Sequence, residues 1–252
     1  MQPIEFKVGK QTIRGTLISP KHLAKKNPGV LFIHGWASNQ AGYIPRAEAV
    51  SKHGAICLTF NMRGHCNSDG TFEHLSRQNH LDDILAAYDF LISQENIDKQ
   101  QIGVVGASYG GYLASILTSK RPIKWLVLRA PALYKDELFN RPTATLIRND
   151  VRVYRNTNIQ PAENMALKAL TKFKGKILIV ESENDAEIPK QTIENYFRAI
   201  NHRAIVTHKI IQGADHSLSK PEWKLKFIKI LSEWFEKELL YRSEKTGGLF
   251  KQ

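Results

Sequence analysis

A serine that lies between two glycines is the residue of this chain best placed to do chemistry. Ser108 stands in the pattern Gly106-Ala107-Ser108-Tyr109-Gly110, directly after an apolar run rich in β-branched residues and directly before a helical pattern. A serine on a sharp strand-to-helix turn projects its hydroxyl away from the backbone, and the glycines avoid collisions with the neighbouring strand and helix. The pattern predicts a nucleophilic serine. A strand-to-helix turn with a solvated serine is the alternative.

A serine hydroxyl is a weak nucleophile until a base removes its proton, and that base needs an orienting acid. Of the nine histidines, His216 is the best base, because it follows the last predicted strand in a turn of small residues. The acidic loop 181–189 follows the preceding strand, and within it Asp185 is favoured as the acid, with Glu183 as the alternative. The chain order serine, acid, histidine is the one expected for a nucleophile elbow on a parallel sheet. The same loop could also be only the solvated start of a helix.

Two backbone amides are predicted to stabilise the oxyanion that such an attack creates. The amide of Tyr109 stands at the start of the helix after the serine, and the amide of Trp36 follows His34-Gly35. Donors in these two places point to where negative charge develops in acyl transfer. We interpret His34 itself as structural, because it can hold the loop that presents Trp36.

The other histidines and the cysteines do not predict a metal site or a disulfide framework. His65 and His74 are interpreted as loop and surface residues, and no His-x-x-x-His or Cys-x-x-Cys spacing occurs. Cys57 lies in an apolar run, where it is expected to be buried, and Cys66 lies in a loop. Neither a metal nor another cofactor is therefore expected, and nothing requires an oxidising compartment.

The elements that would position these groups alternate between strand and helix. Strand patterns cover 3–8, 12–18, 29–33, 55–60, 102–106, 125–128, 176–180 and 204–211, and helical patterns cover 42–53, 79–94, 109–119, 190–200 and 221–240. This alternation predicts an α/β fold, with a mostly parallel central sheet of about eight strands and helices on both faces. Ligands of such sheets bind beyond the carboxyl ends of the strands, where the serine, the Trp36 loop and the loops after residues 180 and 211 all fall.

The regular alternation breaks between the sixth and seventh predicted strands. Residues 131–174 are polar and show no strand pattern. We therefore predict a core formed by residues 1–130 and 175–242, an insert at 131–174, and a flexible tail at 243–252.

Composition and charge favour a folded cytoplasmic protein. The chain has 252 residues, of which 42% are hydrophobic and 24% charged, with no apolar run of membrane-spanning length and no visible signal peptide. The net charge of +12 is spread over the whole chain without a recognisable nucleic-acid module. Solvated faces are therefore favoured over a nucleic-acid surface, and no stable membrane insertion is expected. The oligomeric state is not predicted.

Taken together, the motifs resemble the α/β-hydrolase family over nearly all of residues 3–240. The stretches that carry the resemblance are His34-Gly35-Trp36, Arg63-Gly64-His65-x-x-Ser68-Asp69-Gly70, Gly106-Ala107-Ser108-Tyr109-Gly110-Gly111, Asp185-x-x-Ile188-Pro189 and Gly213-Ala214-Asp215-His216. The loop at 63–70 and the turn at 213–217 look most like cinnamoyl and feruloyl esterases and related carboxylesterases. The stretch 108–112 is instead similar to the catalytic domain of prolyl oligopeptidases.

Two residues depart from the pattern of these families. Ser182 stands where a glycine is common before the acid, and Cys66 replaces the usual glycine of the Arg-Gly-His-Gly loop. Neither is a member of the predicted triad, although both could reshape its surroundings.

The resemblance implies a serine hydrolase in which Ser108, Asp185 and His216 form the catalytic triad. It also implies that the insert at 131–174 is a lid that sets specificity. Its aromatic and aliphatic residues would supply an apolar acyl or aryl pocket, with Tyr134, Leu138 and Phe139 as expected substrate contacts. The insert also carries basic residues that either form a solvated face or attract an anionic substrate, namely Lys135, Arg141, Arg148, Arg152 and Arg155.

The activity expected from this resemblance is that of a carboxylesterase, which cleaves small or aromatic carboxylic esters through an acyl-enzyme intermediate. The alternative is a prolyl-oligopeptidase-like peptidase or acylaminoacyl hydrolase. No propeller domain precedes the motifs in this sequence, which favours the esterase. A catalytically silent module that keeps the fold is a third reading, and the complete triad argues against it.

Overall fold

The structure, a computed structural model, describes the backbone of residues 1–246 and the side chains of residues 1–239. In chain order its elements are β1 (Gln2–Val8), β2 (Gln11–Ile18), β3 (Asn27–Ile33), α1 (Ile44–Ser51), β4 (Ile56–Phe60), α2 (Arg77–Ser93), β5 (Ile97–Ala107), α3 (Tyr109–Leu117), β6 (Trp125–Arg129), α4 (Arg148–Arg155), α5 (Met165–Leu170), β7 (Lys176–Ser182), α6 (Lys190–Ala199), β8 (Ile205–Ile211) and α7 (Pro221–Thr246). Every strand and helix that the sequence predicts is present. The largest difference at a strand end is that β5 starts at Ile97 rather than at residue 102.

Within residues 1–246, eight strands form one sheet in the order β1-β2-β4-β3-β5-β6-β7-β8. β2 pairs antiparallel with β1 and β4, and the other neighbouring strands are parallel. β3, β4 and β6 are buried along their whole length, as expected for strands that helices cover on both faces. The predicted α/β-hydrolase fold with a mostly parallel sheet is therefore confirmed.

Alternate residues of the central strands face two different hydrophobic clusters. In β3, Leu31 and Ile33 belong to the cluster that α2, α3 and α5 complete, whereas Val30 and Phe32 belong to the cluster that α1 and α7 complete. Successive side chains of a strand point to opposite faces, so each β-branched or aromatic residue of β3 contributes to one of the two cores. The sheet is thereby held between two helical layers, and only the loops at its edges are free to build a site.

The insert at residues 131–174 contains two helices that the sequence did not predict, α4 and α5. Several of its residues are part of the main core, including Ala132, Leu133, Ala166 and Leu167. The insert has no strand, as predicted, but it packs on α3 instead of lying apart from the core. Its function as a lid stays a prediction.

The last helix runs further than the sequence suggests. α7 continues to Thr246, so the beginning of the tail predicted for 243–252 is helical. The rest of that tail, residues 247–252, lies outside the described residues. In the described part of the chain, no helix combines the length and the apolar character needed to cross a membrane.

Candidate active site

Ser108 forms a sharp turn between β5 and α3. Its backbone has a positive φ of 51° with ψ of −114°, a conformation that non-glycine residues rarely adopt. The neighbouring glycines are required by space, because a Cβ on Gly106 would lie 2.4 Å from the Gly110 carbonyl oxygen, and a Cβ on Gly110 would lie 2.4 Å from the Ile33 carbonyl oxygen. The predicted nucleophile elbow is thus present, and its glycines have the role that the sequence suggested.

The three residues predicted as a triad form one hydrogen-bonded line. His216 Nε2 lies 3.0 Å from Ser108 Oγ, and His216 Nδ1 lies 2.7 Å from Asp185 Oδ2. The Asp185 side chain is 6% exposed and that of His216 is 19% exposed. A base within hydrogen-bond reach of a serine hydroxyl, oriented by a buried carboxylate, is the arrangement that nucleophilic catalysis by serine requires.

The loop after β7 places Asp185, and not Glu183, beside the histidine. Asp185 Oδ1 accepts hydrogen bonds from the backbone N–H groups of Glu187 (2.9 Å) and Ile188 (2.8 Å), which leaves Oδ2 for His216. Glu183 Oε2 instead accepts a hydrogen bond from the backbone N–H of Gly213 at 2.7 Å. Of the two acids that the sequence left open, Asp185 is the one within hydrogen-bond distance of His216.

The loop after β3 carries Trp36 and lies against the nucleophile. A Cβ on Gly35 would be 3.8 Å from the Ser108 Cβ. Gly35 N–H donates to the Tyr43 hydroxyl at 3.1 Å, and the Trp36 and Tyr109 rings lie 4.9 Å apart. The two residues predicted to supply oxyanion donors are therefore neighbours beside Ser108.

His34 holds this loop, as predicted. Its Nε2 accepts a hydrogen bond from the backbone N–H of Met62 at 3.1 Å, and its Nδ1 donates to the Gly35 carbonyl at 2.8 Å. Burial, reinforced by repulsion from His65, lowers the pKa of His34 to about 3. A ring that accepts a hydrogen bond on Nε2 must be neutral, and this pKa keeps it so at physiological pH.

His65 lies in a loop, as interpreted, but it is buried and not at the surface, whereas His74 is exposed as expected. His65 Nε2 donates to the Trp36 carbonyl at 2.7 Å, and its Nδ1 lies 3.0 Å from the Arg63 carbonyl. His80 of α2 approaches the same Arg63 carbonyl at 3.2 Å with Nε2. The polar loop 63–70 is therefore packed behind the Trp36 loop.

His80 also connects this loop to the other predicted oxyanion residue, and sequence reasoning missed it. Its Nδ1 lies 2.8 Å from the Tyr109 hydroxyl, and burial lowers the pKa of His80 to about 3. A neutral His80 therefore accepts a hydrogen bond from the Tyr109 hydroxyl on Nδ1 and donates from Nε2 to the Arg63 carbonyl. Tyr109 is fully buried, so its ring offers no exposed surface to a substrate.

The loop 63–70 is anchored by a buried ion pair. The Arg63 guanidinium donates from Nε to Asp83 of α2, and both side chains are less than a tenth exposed. Cys66 has a φ of +50°, a conformation that glycine adopts most easily, which explains why a glycine is common at its position. Of the two cysteines, Cys57 is buried, as expected, and Cys66 is exposed.

The three predicted substrate contacts occupy different environments. Tyr134 is buried and stacks on Trp36 with a ring separation of 5.9 Å. Phe139 is buried in the core beneath the Arg77 guanidinium, which lies 5.5 Å from its ring. Leu138 lines a cavity of about 740 Å³ that is formed within the insert by Lys135, Glu137, Leu138, Tyr154, Thr157, Asn158, Ile159 and Glu163. The structure brings Tyr134 to the Trp36 loop, and it does not place Leu138 or Phe139 there.

The basic residues of the insert do not form one functional group. Lys135, Arg141, Arg148 and Arg152 are exposed. Arg155 is buried, with Nη1 donating to the Glu187 carbonyl at 3.1 Å and Nε donating to the Leu133 carbonyl at 3.3 Å. The end of α4 is thereby tied to the loop that carries the acid.

In the residues that the structure describes, no group of three or more histidine, cysteine, aspartate or glutamate side chains is arranged as ligands for a metal ion. The groups gathered at the carboxyl edge of the sheet are instead those of acyl transfer, namely a hydroxyl, an imidazole and a carboxylate.

A serine elbow at the carboxyl edge of this sheet, with a carboxylate from the loop after β7 and an imidazole from the loop after β8, defines a serine hydrolase of the α/β-hydrolase class. The chain belongs to the prolyl oligopeptidase family, whose sequence model matches residues 42–241.

The similar proteins include relatives named as peptidases and a solved structure with ferulic acid bound. The uncharacterized peptidase YuxL of Bacillus subtilis (strain 168) is 24% identical over 255 residues, covering 90% of this chain and 37% of that protein. Dipeptidyl peptidase 8 of Mus musculus is 31% identical over 125 residues, covering 44% of this chain and 14% of that protein. Est1E of Butyrivibrio proteoclasticus, solved with ferulic acid bound, superposes with a TM-score of 0.72 at 18% identity.

The shares of length that are covered differ between these relatives. This chain spans about a third of YuxL and a smaller part of dipeptidyl peptidase 8. The superposition on Est1E covers 94% of this chain and 98% of that one. At that level of identity the superposition shows a shared fold.

Proposed function

We propose that this protein is a carboxylesterase that hydrolyses small or aromatic carboxylic esters through an acyl-enzyme intermediate. The observation that carries the proposal is the line from Ser108 Oγ through His216 to Asp185, with contacts of 3.0 and 2.7 Å. Its position beside the Trp36 loop supplies a surface on which the acyl group could pack.

In the first half of the reaction, Ser108 Oγ attacks the ester carbonyl carbon while His216 Nε2 takes the hydroxyl proton. Asp185 accepts the hydrogen bond from His216 Nδ1, which fixes the tautomer and stabilises the imidazolium. The carbonyl oxygen becomes an oxyanion between the amides of Trp36 and Tyr109, each worth about 2.7–4 kcal/mol in the transition state. The imidazolium then protonates the leaving alkoxide, and the alcohol departs.

In the second half, water replaces the alcohol. His216 removes a proton from this water, the resulting hydroxide attacks the acyl-enzyme carbonyl, and the same two amides hold the second oxyanion. Collapse of this intermediate breaks the bond between Ser108 Oγ and the acyl carbon. The carboxylic acid leaves, and Ser108 recovers its proton from the imidazolium.

The preference for aromatic acyl groups is supported by the aromatic residues around Trp36. Its indole is half-buried and has Phe72, Tyr109 and Tyr134 as ring neighbours, with centroid separations of 5.0, 4.9 and 5.9 Å. A flat acyl group next to the oxyanion could stack on this wall. The ferulic acid bound to Est1E, a protein of the same fold, is an aromatic acid of this kind.

Hydrolysis of p-nitrophenyl acetate and of p-nitrophenyl esters of aromatic acids tests the proposal. The wild-type protein should release p-nitrophenol from both, and Ser108→Ala should abolish release. Turnover that persists in Ser108→Ala would assign the reaction to another residue, and an absence of turnover in the wild type would reject the esterase.

A variant of Trp36 tests whether the aromatic residues around it bind the acyl group. Trp36→Ala keeps the backbone amide but removes the indole, so kcat/KM for the aromatic ester should fall roughly 10- to 100-fold, because the lost apolar contact is worth about 1–3 kcal/mol. The acetyl ester, which is too short to stack, should change little. Trp36→Phe is the control and should retain most of the activity. Equal losses on both esters would place the acyl group elsewhere.

A peptidase or acylaminoacyl hydrolase is the second candidate, and the names of YuxL and dipeptidyl peptidase 8 favour it. The same triad and oxyanion donors would cleave an amide, with His216 protonating the leaving amine. Release of p-nitroaniline from prolyl and other aminoacyl anilides separates the two candidates. If anilides are cleaved with a higher kcat/KM than the matched esters, the peptidase replaces the esterase.

A further inference from the structure

Arg129 is a buried arginine at the carboxyl end of β6 that touches all three segments of the predicted triad. Arg129 is 5% exposed. Its backbone carbonyl accepts a hydrogen bond from the N–H of Ser108 at 2.9 Å. Its guanidinium Nη2 donates to Ser182 Oγ at 2.9 Å and to the Asp215 carbonyl at 3.3 Å.

Each of these partners stands next to a reacting group in the chain. Ser108 is the nucleophile itself, Ser182 is the last residue of β7 before the acid loop, and Asp215 directly precedes His216. Ser182 is also a residue that departs from the glycine common at its position. The Ser182 hydroxyl accepts the hydrogen bond from the Arg129 guanidinium. A glycine at this position could not provide that acceptor.

The guanidinium brings a positive charge close to the acid. Burial lowers the pKa of Arg129 to about 10, while the carboxylates of Asp185 and Asp215 oppose that change. The side chain therefore stays charged at neutral pH. Tyr43 and Arg46, from the start of α1, also act on the pKa of this guanidinium: Tyr43 raises it and Arg46 lowers it.

We propose that Arg129 is a positioning residue of the active site, which holds the acid loop and the histidine turn in register with Ser108 and presents a fixed positive charge to Asp185. The proposal rests on the triad roles given above. Two hydrogen bonds from one planar guanidinium fix the distance between the ends of β7 and β8, and that distance sets the contact between Asp185 and His216. The charge of Arg129 opposes an additional positive charge nearby.

The test measures nucleophile activation without depending on the substrate class. A fluorophosphonate probe forms a bond between its phosphorus and Ser108 Oγ and expels fluoride, so its second-order labelling rate can be followed by mass spectrometry whether esters or peptides are the natural substrates. The rate is measured against pH, between about pH 5 and 9, where an imidazole titrates. The variants are Arg129→Met, Arg129→Lys and Ser182→Ala, with Arg121→Met as the control.

Arg129→Met should lower the labelling rate at neutral pH by roughly 100-fold, since a displacement of about 1 Å in a catalytic group has that effect. The fall of the labelling rate at low pH, called the acid limb of the profile, should also move to higher pH by about one unit. The reason is that a buried positive charge no longer opposes protonation of the site. Arg129→Lys keeps the charge, so its acid limb should stay near that of the wild type. Ser182→Ala should lower the rate several-fold with the acid limb in place.

Arg121 provides the matched control. Its guanidinium pairs with Asp89 at 2.7 Å and is 31% exposed, so Arg121→Met removes one arginine charge from the surface. Neither the labelling rate nor the acid limb should change in this variant. A shift of the limb in Arg121→Met equal to that in Arg129→Met would attribute the effect to net charge and overturn the proposal.

Other outcomes also decide. A wild-type labelling rate in Arg129→Met overturns the proposal. A slow rate in Arg129→Met also overturns it if the acid limb does not move and Arg129→Lys does not recover the rate, because that pattern describes a purely structural residue. If Arg129→Met does not fold, the labelling rate of Ser182→Ala decides instead, and a wild-type rate in that variant overturns the proposal. If the wild type is not labelled at Ser108, the proposed function fails first and takes this inference with it, whereas labelled wild type with unaffected variants rejects Arg129 alone.

Discussion

The two carboxylate oxygens of Asp185 have separate tasks. Oδ1 accepts two backbone N–H groups of its own loop, and Oδ2 accepts the hydrogen bond from His216. In Asp185→Asn the amide oxygen can keep the loop contacts, and the amide nitrogen then faces His216. The imidazole would have to accept at Nδ1, so its proton would lie on Nε2, opposite Ser108 Oγ. A ring in that tautomer cannot take the serine proton.

Asp185→Asn is therefore expected to lower kcat by about 10⁴-fold while leaving the fold intact. The measurement is hydrolysis of the best ester or anilide substrate, with thermal unfolding to verify stability. Glu183→Gln is the matched control, because Glu183 accepts the Gly213 N–H and a glutamine can do the same. A near-normal rate in Asp185→Asn, or an equal loss in Glu183→Gln, would contradict the assignment of the acid.

At the scale of residues, the triad could be predicted because each member directly follows a strand or stands in the loop after one. His65, His80 and Arg129 could not be assigned in the same way. Their positions depend on contacts between residues far apart in the chain, such as those of His65 with Trp36 and of His80 with Tyr109. The polar composition of the loop 63–70 favours exposure, and the burial of Arg63 in this loop depends on its ion pair with Asp83 of α2.

The nucleophile elbow joins β5 to α3 so closely that the glycines leave no room for side chains. A Cβ on Gly110 would meet the carbonyl oxygens of Ile33 and His34 at 2.4 and 2.6 Å. These carbonyls belong to the end of β3 and to the loop that carries Trp36. A side chain at position 110 would therefore push the Trp36 loop away from the nucleophile.

Gly110→Ala is expected to lower the free energy of unfolding by about 3 kcal/mol or more, since overpacking against rigid backbone must displace whole elements. It should also lower kcat, because the amide of Trp36 moves with its loop. Gly42→Ala is the control: a Cβ there has no neighbour within 4 Å, and its backbone is not in the left-handed region. Urea unfolding measures the stability of both variants, and hydrolysis of the best substrate measures their kcat. Equal stability of the two variants would show that the elbow can relax.

The elements of the sheet were more predictable than those of the insert, for a physical reason. β3, β4 and β6 are mostly apolar runs whose composition alone favours burial. α4 has only eight residues, and its buried side chain is an arginine, Arg155. That arginine is buried by hydrogen bonds to the carbonyls of Leu133 and Glu187, which lie outside the helix. α5, with six residues, is likewise too short to show a helical period.

At the scale of the whole molecule, the carboxyl edge of the sheet contains buried histidines that must remain neutral for the fold to persist. His34 connects the loop after β3 to the chain after β4, and His80 connects α2 to the start of α3. Burial lowers the pKa of both rings to about 3, from a value of 6.5. In the unfolded chain these rings are solvated and bind protons more readily, so acid favours unfolding.

The free energy of unfolding should therefore fall as the pH decreases from 7.5 to 5. A histidine whose pKa is lower in the folded than in the unfolded protein contributes its stability in full at pH values above the unfolded-state pKa of 6.5. That stability is lost as the pH falls toward the folded-state pKa of about 3. Between the two test conditions each histidine should cost about 2 kcal/mol. Asp83, whose pKa burial raises to about 6, gains a proton in the folded state and offsets about 1 kcal/mol.

Urea unfolding at the two pH values measures this difference, for which about 3 kcal/mol is the expected loss. His80→Gln should reduce the loss by about 2 kcal/mol, because one of the two rings that must charge on unfolding is absent. His74→Gln is the control, since His74 is exposed and should leave the pH dependence unchanged. If the unfolding midpoint of the wild type is the same at both pH values, the buried histidines do not couple proton uptake to unfolding. If only His74→Gln alters the dependence, the coupling lies at the surface instead of behind the oxyanion loop.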